Sequence, residues 1–387
     1  MVALGTDGTR HALLDAVERV REVVAANADE AERVATLPAA TVAALRDSGL
    51  LALKVPSVLG GAEADPTTQI DAIEALSAVD ASAGWCLMVG ATTVALPGVF
   101  LPDDAVATVF AGGRIPLAAG CYMPTGHAVV TPGGYRITGR WAFASGIRHA
   151  AWVSGTAAVM RDGVATGERR VFVVPRPAVQ VHDTWHVAGL RGTGSCDFSV
   201  ADLRVEASFT WDIEQAAPRR GGAVYRLGLP GFVTNEHAAF ALGVARRALD
   251  AVSTLAASKS RGLKPALLAH RQTFQRFVGE ATLRLRSARS LVVELNEAAW
   301  ATVRDGGRLS PRQHAELRGA AVLATDTALD IVTRAFRHAG GSALYDTSPL
   351  QRCLRDLHAG AQHFMVADSA YDTLGRFLLD LPSHPME

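Results

Sequence analysis

Two short segments of the chain combine residue types that suit the binding of a planar or polar ligand. The first, at 139–146, reads GRWAFASG, with Trp141, Phe143 and Ser145 at every second position. Because successive side chains on a strand point to opposite faces, we expect these three to share one face. An aromatic surface beside a hydroxyl is a platform for a planar heterocycle. Taken alone, the pattern also fits a core strand that ends at a turn.

The second segment, GLRGTGS at 189–195, is rich in glycine and hydroxyl groups. It fits neither the P-loop pattern nor the dinucleotide-binding fingerprint, since Asp197 stands at the last glycine position. It lies between two predicted strands, so no helix N-terminus provides an anion site there. Alone it predicts a glycine-rich connection, whose N–H and hydroxyl groups are still able to bind a polar ligand.

The late histidines, His358 and His363, follow Asp356 in the last predicted helical region. We expect Asp356 and His363 to share a helix face, with His363 partly buried. A buried histidine is more often structural than a base. The chain has no HExxH motif, and the spacing of the two histidines is poor for joint ligation, so we expect no metal site. The absence of a GxSxG motif removes support for hydrolase chemistry.

The composition excludes several classes of protein. The 38 basic residues balance 38 acidic ones, which argues against a nucleic-acid binder and against a charged tail. A hydrophobic share of 49% is that of a globular chain. The four cysteines have no CxxC spacing, which indicates reduced thiols and a cytoplasmic protein. We expect neither a signal peptide nor a membrane-spanning apolar stretch.

The pattern along the chain changes twice. Residues 10–112 have helical periodicity, 115–225 have short alternating runs with turn signals, and 228 onward is helical again. Long helices are predicted near 231–258, 265–304 and 311–338, which favours a bundle. This order fits neither a Rossmann fold nor a TIM barrel.

Helix ends are also marked in the sequence. Asp65-Pro66 predicts a helix start, with the helix running to about Val79. Ser310-Pro311 predicts another start, and the glycine pair at 340–341 its end. A capping box is expected at Ser348.

Six ordered segments resemble the acyl-CoA dehydrogenase superfamily, and more closely its group D branch of two-component flavin-dependent monooxygenases. They read GLLALKVPSVLGGAEA at 49–64, DASAGW at 80–85, PTGHA at 124–128, GGYRITGRWAFASGIRHAAW at 133–152, TWHVAGLRGTGSCDFSVADLRVE at 184–206 and HAGGSALYDTSPLQRCLRDLHAGAQH at 338–363. The resemblance implies a mostly α member of the α+β class. Its parts would be an N-terminal helical domain (1–113), a central β-barrel (114–226) and a C-terminal four-helix bundle (227–387). Members of the family usually form homotetramers.

The resemblance also implies a flavin site. Ser145 matches a position whose hydroxyl approaches flavin N5. Arg261 matches an arginine that, in relatives, reaches the flavin phosphate of a neighbouring subunit. The full set of implied cofactor-binding residues is Trp141, Phe143, Ser145, Thr193, Gly194, Ser195, Arg261, Gly340 and Gly341.

A dehydrogenase of this family needs a glutamate base. The two expected positions hold Phe364 and Val233, although Glu236 lies one helical turn away. His363 instead matches a histidine that the monooxygenases carry near flavin C4a, so Ser145 and His363 are the implied catalytic residues. In that branch reduced FAD or FMN comes from a separate flavin reductase and reacts with O₂ to form a C4a-hydroperoxide. A second histidine that some members carry is replaced by the stretch MVGA at 88–91.

The sequence therefore predicts hydroxylation of a small organic molecule, aromatic or polycyclic. Three alternatives stay open. One is N-hydroxylation of an amine or amino sugar, and another is an acyl-CoA dehydrogenase that uses Glu236. The third is a catalytically silent scaffold, which the intact Phe143, Ser145 and GTGS stretch argue against.

Overall fold

The computed structural model describes residues 6–260 and 266–381. Chain contacts group these residues into two compact units. The first unit comprises the residues up to Ala64, Trp85–Val187 and Arg191–Tyr225. The second comprises Asp65–Gly84, Ala188–Leu190 and the residues from Arg226 onward. The division into domains at 113/114 and 226/227 stays a prediction.

Ten α-helices among the described residues flank a central run of strands. Before the strands come α1 (Thr6–Val34), α2 (Ala39–Asp47), α3 (Pro66–Val79), α4 (Ala81–Phe100) and α5 (Asp103–Val109). After them come α6 (Gly228–Ser258), α7 (Gln272–Arg304), α8 (Pro311–Ala339), α9 (Pro349–Gly360) and α10 (Ser369–Leu378). The predicted order of helical, β and helical segments is confirmed.

The strands of the first unit form one seven-stranded sheet in the order β5-β6-β2-β1-β3-β4-β7. Their bounds are β1 (Ala118–Thr131), β2 (Gly134–Trp141), β3 (Trp152–Arg161), β4 (Val164–Pro175), β5 (Gln180–His182), β6 (Asp197–Glu206) and β7 (Thr210–Asp212). Five of the pairings are antiparallel, and β1 pairs with β3 in parallel. The sheet brings the end of β2 beside the start of β6, where Trp141 pairs with Phe198.

The sheet core is built around one indole. Trp141 has no exposed surface, its ring stacks on Phe198 at 5.2 Å, and its Nε1 donates to the Thr156 carbonyl at 2.7 Å. A Cβ added to Gly126 would lie 2.3 Å from the indole, and one added to Gly139 would lie 2.8 Å from it. These glycines therefore leave the space that the indole fills.

Helix α4 is a run of twenty residues without a charged side chain, so the expectation that no such stretch exists was wrong. By length and composition it is able to cross a membrane. Most of its apolar window, however, is buried inside the protein, as in a core helix. Its residues from Trp85 onward, which include Cys86 and Gly90, belong to the first unit.

In the second unit, α6 packs against both α3 and α8. The predicted helix starts are confirmed at Asp65, whose side chain accepts the N–H of Thr68 at 3.0 Å, and at Ser310, which forms a capping box. Two expectations fail. Helix α7 begins at Gln272 rather than near 265, because a short 3-10 turn precedes it. Helix α9 starts after Ser348 without a capping bond.

The side chain of Gln351 explains the missing capping box at α9. Its amide donates to the Asp346 carbonyl at 3.1 Å and its oxygen accepts from Arg355 at 2.7 Å. It is therefore engaged away from the backbone N–H that a capping box requires.

The Trp141 packing predicts a stability cost for Gly126→Ala. Because the buried indole cannot move aside, we expect the free energy of unfolding to fall by about 2 kcal/mol. Gly279 in α7 has nothing within 4 Å of an added Cβ, so Gly279→Ala should leave stability unchanged or raise it by up to about 1 kcal/mol. Urea unfolding of both variants checks the difference, and equal midpoints would contradict it.

Candidate active site

The turn that follows β2 carries Ser145, whose hydroxyl is the predicted contact to flavin N5. Ala144 donates its N–H to the Cys196 carbonyl at 3.2 Å, and Gly146 donates to the Thr193 carbonyl at 2.9 Å. These two bonds bracket Ser145 and tie the turn to the glycine-rich segment before β6. The two segments that the sequence singles out therefore meet.

The aromatic residues of this stretch separate. Strand β2 ends at Trp141, and Phe143 takes the left-handed conformation with φ of 63°. As a result Phe143 is 71% exposed, with its ring edge-on to Trp185, whereas Trp141 is wholly buried. The expectation that Trp141, Phe143 and Ser145 share a face was wrong. Trp141 has no surface left for a cofactor, whereas Phe143 has a broad one.

Ser145 is the end of a chain of buried hydroxyls. Its Oγ lies 2.7 Å from that of Ser195, which in turn lies 2.6 Å from Thr193 Oγ1. Trp85 Nε1 donates to Ser145 Oγ at 3.1 Å. All four side chains are buried, and Thr193 and Ser195 are the most deeply so. Their hydroxyls are thus placed to act through Ser145.

Sequence reasoning did not assign Trp85 to the site. The residue was visible as the end of the DASAGW segment, near the start of α4. Only the packing of α4 shows that its indole N–H reaches Ser145, which lies 60 positions further along the chain.

A small pocket of about 40 Å³, partly open to solvent, borders Ser145 within the first unit. Its lining is mainly apolar and includes Leu45, Leu51, Cys86 and Gly90. His149 also lines it, and its Nε2 lies 3.1 Å from Thr36 Oγ1. Burial lowers the pKa of His149, so this imidazole is neutral near pH 7. The lining would contact a ligand mainly through apolar atoms.

His363 lies in the second unit, beyond the end of α9 at Gly360. The expectation that it shares a helix face with Asp356 was therefore wrong. Its Nδ1 accepts the N–H of Met365 at 3.3 Å, and its ring centre is 4.2 Å from that of His237. Burial lowers the pKa of His363 to about 4. The neutral ring that accepts at Nδ1 carries its proton on Nε2.

Helix α9 holds the residues that lead into the glycine-rich segment. Asp356 accepts the N–H of Leu190 at 2.6 Å, and Arg355 donates to the Ala188 carbonyl. Between them, a Cβ on Gly189 would lie 2.0 Å from the Arg355 carbonyl oxygen, so only glycine permits this approach. This contact explains the first glycine of GLRGTGS without a ligand.

The other residues that the sequence analysis names lie in separate parts of the chain. Gly194 has φ of 54°, within the turn that carries Thr193 and Ser195. Gly340 and Gly341 end α8, where Lys259 donates to the Ala339 carbonyl at 2.6 Å. Arg261 lies outside the described residues. Glu236 is 2% exposed on α6. Among the described residues there is no cluster of side chains that could hold a metal ion.

Comparison with known families and proteins agrees with this geometry. Residues 8–100 match the acyl-CoA dehydrogenase N-terminal domain, and residues 236–368 match the acyl-CoA dehydrogenase C-terminal domain. The indole-3-acetate monooxygenase of Pseudomonas putida is 31% identical, with 96% of this chain and 94% of that protein covered.

Two further similar proteins are linked to flavin, one by its name and the other by the FADH2 in its structure. The flavin-dependent monooxygenase, oxygenase subunit HsaA of Mycobacterium tuberculosis is 28% identical, with 96% of each chain covered. The structure of XiaF from Streptomyces sp. in complex with FADH2 and glycerol superposes with a TM-score of 0.84 at 27% identity, covering 97% of both chains.

The chain belongs to the acyl-CoA dehydrogenase superfamily, and within it to the two-component flavin-dependent monooxygenases. It is an oxidoreductase of the acyl-CoA dehydrogenase fold, as its sequence predicts.

The lowered pKa of His363 predicts an acid sensitivity of folding. Between about pH 6.5 and pH 4 the unfolded chain binds a proton at this ring that the folded protein does not. The free energy of unfolding should therefore fall as the pH drops through this window. We expect His363→Gln to lose less stability than the parent protein when the pH is lowered from about 7 to about 5.

Urea unfolding at the two pH values measures this loss. His11→Gln is the matched control, because His11 is an exposed side chain on α1. An identical loss in the parent protein and in His363→Gln would contradict the assignment.

Proposed function

We propose that this monooxygenase binds reduced flavin against the turn that carries Phe143 and Ser145, and uses O₂ to hydroxylate a small aromatic molecule. The observation that carries the proposal is the buried hydroxyl chain, which ends at Ser145, two residues after the exposed Phe143, and borders an apolar pocket. The names of the relatives, indole-3-acetate monooxygenase among them, support the aromatic substrate.

The residues at the turn fit a flavin. Phe143 offers an exposed aromatic surface on a backbone in the left-handed conformation. This conformation costs conformational free energy in a non-glycine residue, and such residues cluster at ligand-binding sites. Ser145 offers a hydroxyl that is suited to the flavin N5. When bound, reduced flavin supplies the electrons that activate O₂. The protein's part is to hold the flavin, to orient the substrate and to keep water away from the reacting atoms.

His363 contributes a hydrogen-bond donor. Because its Nδ1 accepts the Met365 N–H, the neutral ring presents Nε2–H. With a pKa of about 4 the ring stays neutral across the physiological range. In this state Nε2–H is a hydrogen-bond donor, and the proposed catalytic role of His363 is that of a donor rather than of a base at Nε2.

The pocket favours attack on an aromatic carbon over attack on an amine. Its lining includes no carboxylate among the described residues, so nothing there balances the charge of an ammonium group. Gly90 lies in the stretch where some family members carry a histidine, and its missing side chain adds room.

The dehydrogenase alternative gains no support from the second unit. Val233 and Phe364 occupy the positions expected for the glutamate base. Glu236 is 2% exposed within α6.

The two-component class implies a small-molecule substrate and a separate flavin reductase that supplies the reduced cofactor. The proposal includes assembly of the chain as a homotetramer and a cytoplasmic location. The reduced cysteines of the described residues, of which three are buried, are consistent with that compartment.

Rapid mixing tests the oxygenase function. Protein loaded anaerobically with reduced FAD or FMN is mixed with oxygenated buffer, and absorbance and hydrogen peroxide are followed. We expect oxidised-flavin absorbance to return in a delayed phase, which Ser145→Ala shortens roughly tenfold as one hydrogen bond is lost. Reoxidation as fast as that of free flavin, together with bleaching of oxidised FAD by an acyl-CoA, would instead indicate a dehydrogenase.

Gly90→Leu tests the pocket as the substrate site. Four added carbon atoms occupy the space beside Ser145, so we expect KM for indole-3-acetate to rise at least about tenfold, by steric exclusion. Flavin affinity should stay unchanged. Gly375→Leu is the control, because an added Cβ meets nothing within 4 Å at that position on α10. An unchanged KM in Gly90→Leu would remove the pocket from the proposal.

A further inference from the structure

The hydrogen bonds around Ser145 leave the direction of donation between the three hydroxyls unfixed. An indole N–H only donates, so the bond from Trp85 permanently occupies one lone pair of Ser145 Oγ. The bond between Ser145 and Ser195 has no fixed donor, and neither has the bond between Ser195 and Thr193. Each hydroxyl has one hydrogen and two lone pairs, so the two bonds are able to run in either direction.

The two directions give Ser145 opposite properties. If Thr193 donates to Ser195 and Ser195 donates to Ser145, both lone pairs of Ser145 are occupied and its hydrogen is free to bind a ligand. If the order reverses, Ser145 gives its hydrogen to Ser195, and Ser195 gives its own to Thr193, whose hydrogen must then turn to another acceptor. Ser145 in that order keeps one lone pair for the ligand. The change needs only rotation of hydroxyl hydrogens, because the oxygens stay 2.7 and 2.6 Å apart.

Flavin chemistry requires both properties. N5 of oxidised flavin carries a lone pair and accepts a hydrogen bond, whereas N5 of reduced flavin carries a hydrogen and donates one. We propose that the Ser145–Ser195–Thr193 chain reverses its direction with the redox state of the flavin, so that Ser145 bonds N5 in both states. This inference rests on the proposed function, which places Ser145 against N5.

Ser195 is the positioning residue on which the reversal depends. It is 3% exposed and Thr193 is 1% exposed, so water does not replace a missing partner readily. Without the Ser195 hydroxyl, Ser145 is still able to donate to oxidised flavin. In the reduced state, however, the Ser145 hydrogen would be buried without an acceptor, which costs about 1–3 kcal/mol.

The test compares affinities and needs no turnover. Dissociation constants for oxidised and for reduced FAD are measured by anaerobic titration of the parent protein and of Ser195→Ala. We expect the variant to lose about tenfold more affinity for reduced than for oxidised FAD. The reduction potential of the bound flavin should fall by about 30 mV, the equivalent of tenfold for a two-electron couple.

Three variants serve as matched comparisons. Ser195→Thr keeps the hydroxyl and should restore the parent ratio of the two constants. Trp85→Phe removes a donor that serves both redox states equally, so it should weaken both affinities by the same factor. Thr193→Val should shift the ratio in the direction of Ser195→Ala but by less.

An unchanged ratio in both Ser195→Ala and Thr193→Val, with flavin bound to each, would overturn the reversal while leaving the proposed function intact. An equal shift in Trp85→Phe would also overturn it, since it would show a general loss of site structure. Failure of the parent protein to bind FAD and FMN in either redox state would defeat the proposed function itself.

Discussion

The packing of the Trp141 indole is the constraint on which the candidate site depends. The ring fills the centre of the sheet, stacks on Phe198 and is held by a hydrogen bond to Thr156. Gly126 and Gly139 must lack side chains for it to fit. Because a buried ring in a close-packed core has one position, the end of β2 is fixed, and so is the turn that follows it.

In that turn the aromatic ring of Phe143 lies at the surface, whereas the hydroxyl of Ser145 is buried. Phe143 is turned outward by a left-handed backbone conformation, while Ser145 is drawn against Ser195 and Trp85. A hydroxyl held by buried partners in a medium of low dielectric makes stronger and better directed hydrogen bonds than one in water. The pocket beside it is lined mainly by apolar side chains.

Two ionisable side chains of α9 have a structural role in the second unit. Asp356 and Arg355 hold the backbone of residues 188–190, and Gly189 allows the close approach. Burial keeps the ring of His363 neutral, and the backbone N–H of Met365 selects its tautomer.

The sequence alone determined the order of helical and β segments, the caps at Asp65 and Ser310, and the family, since these depend on local patterns and on the spacing of motifs. It placed Phe143, Ser145, Thr193 and Ser195 near one another through the resemblance. Only the tertiary structure separated Trp141 from Phe143 and brought Trp85 onto Ser145. The physical reason is that strand periodicity ends where the backbone turns, and that a contact between distant positions depends on packing that no local pattern encodes.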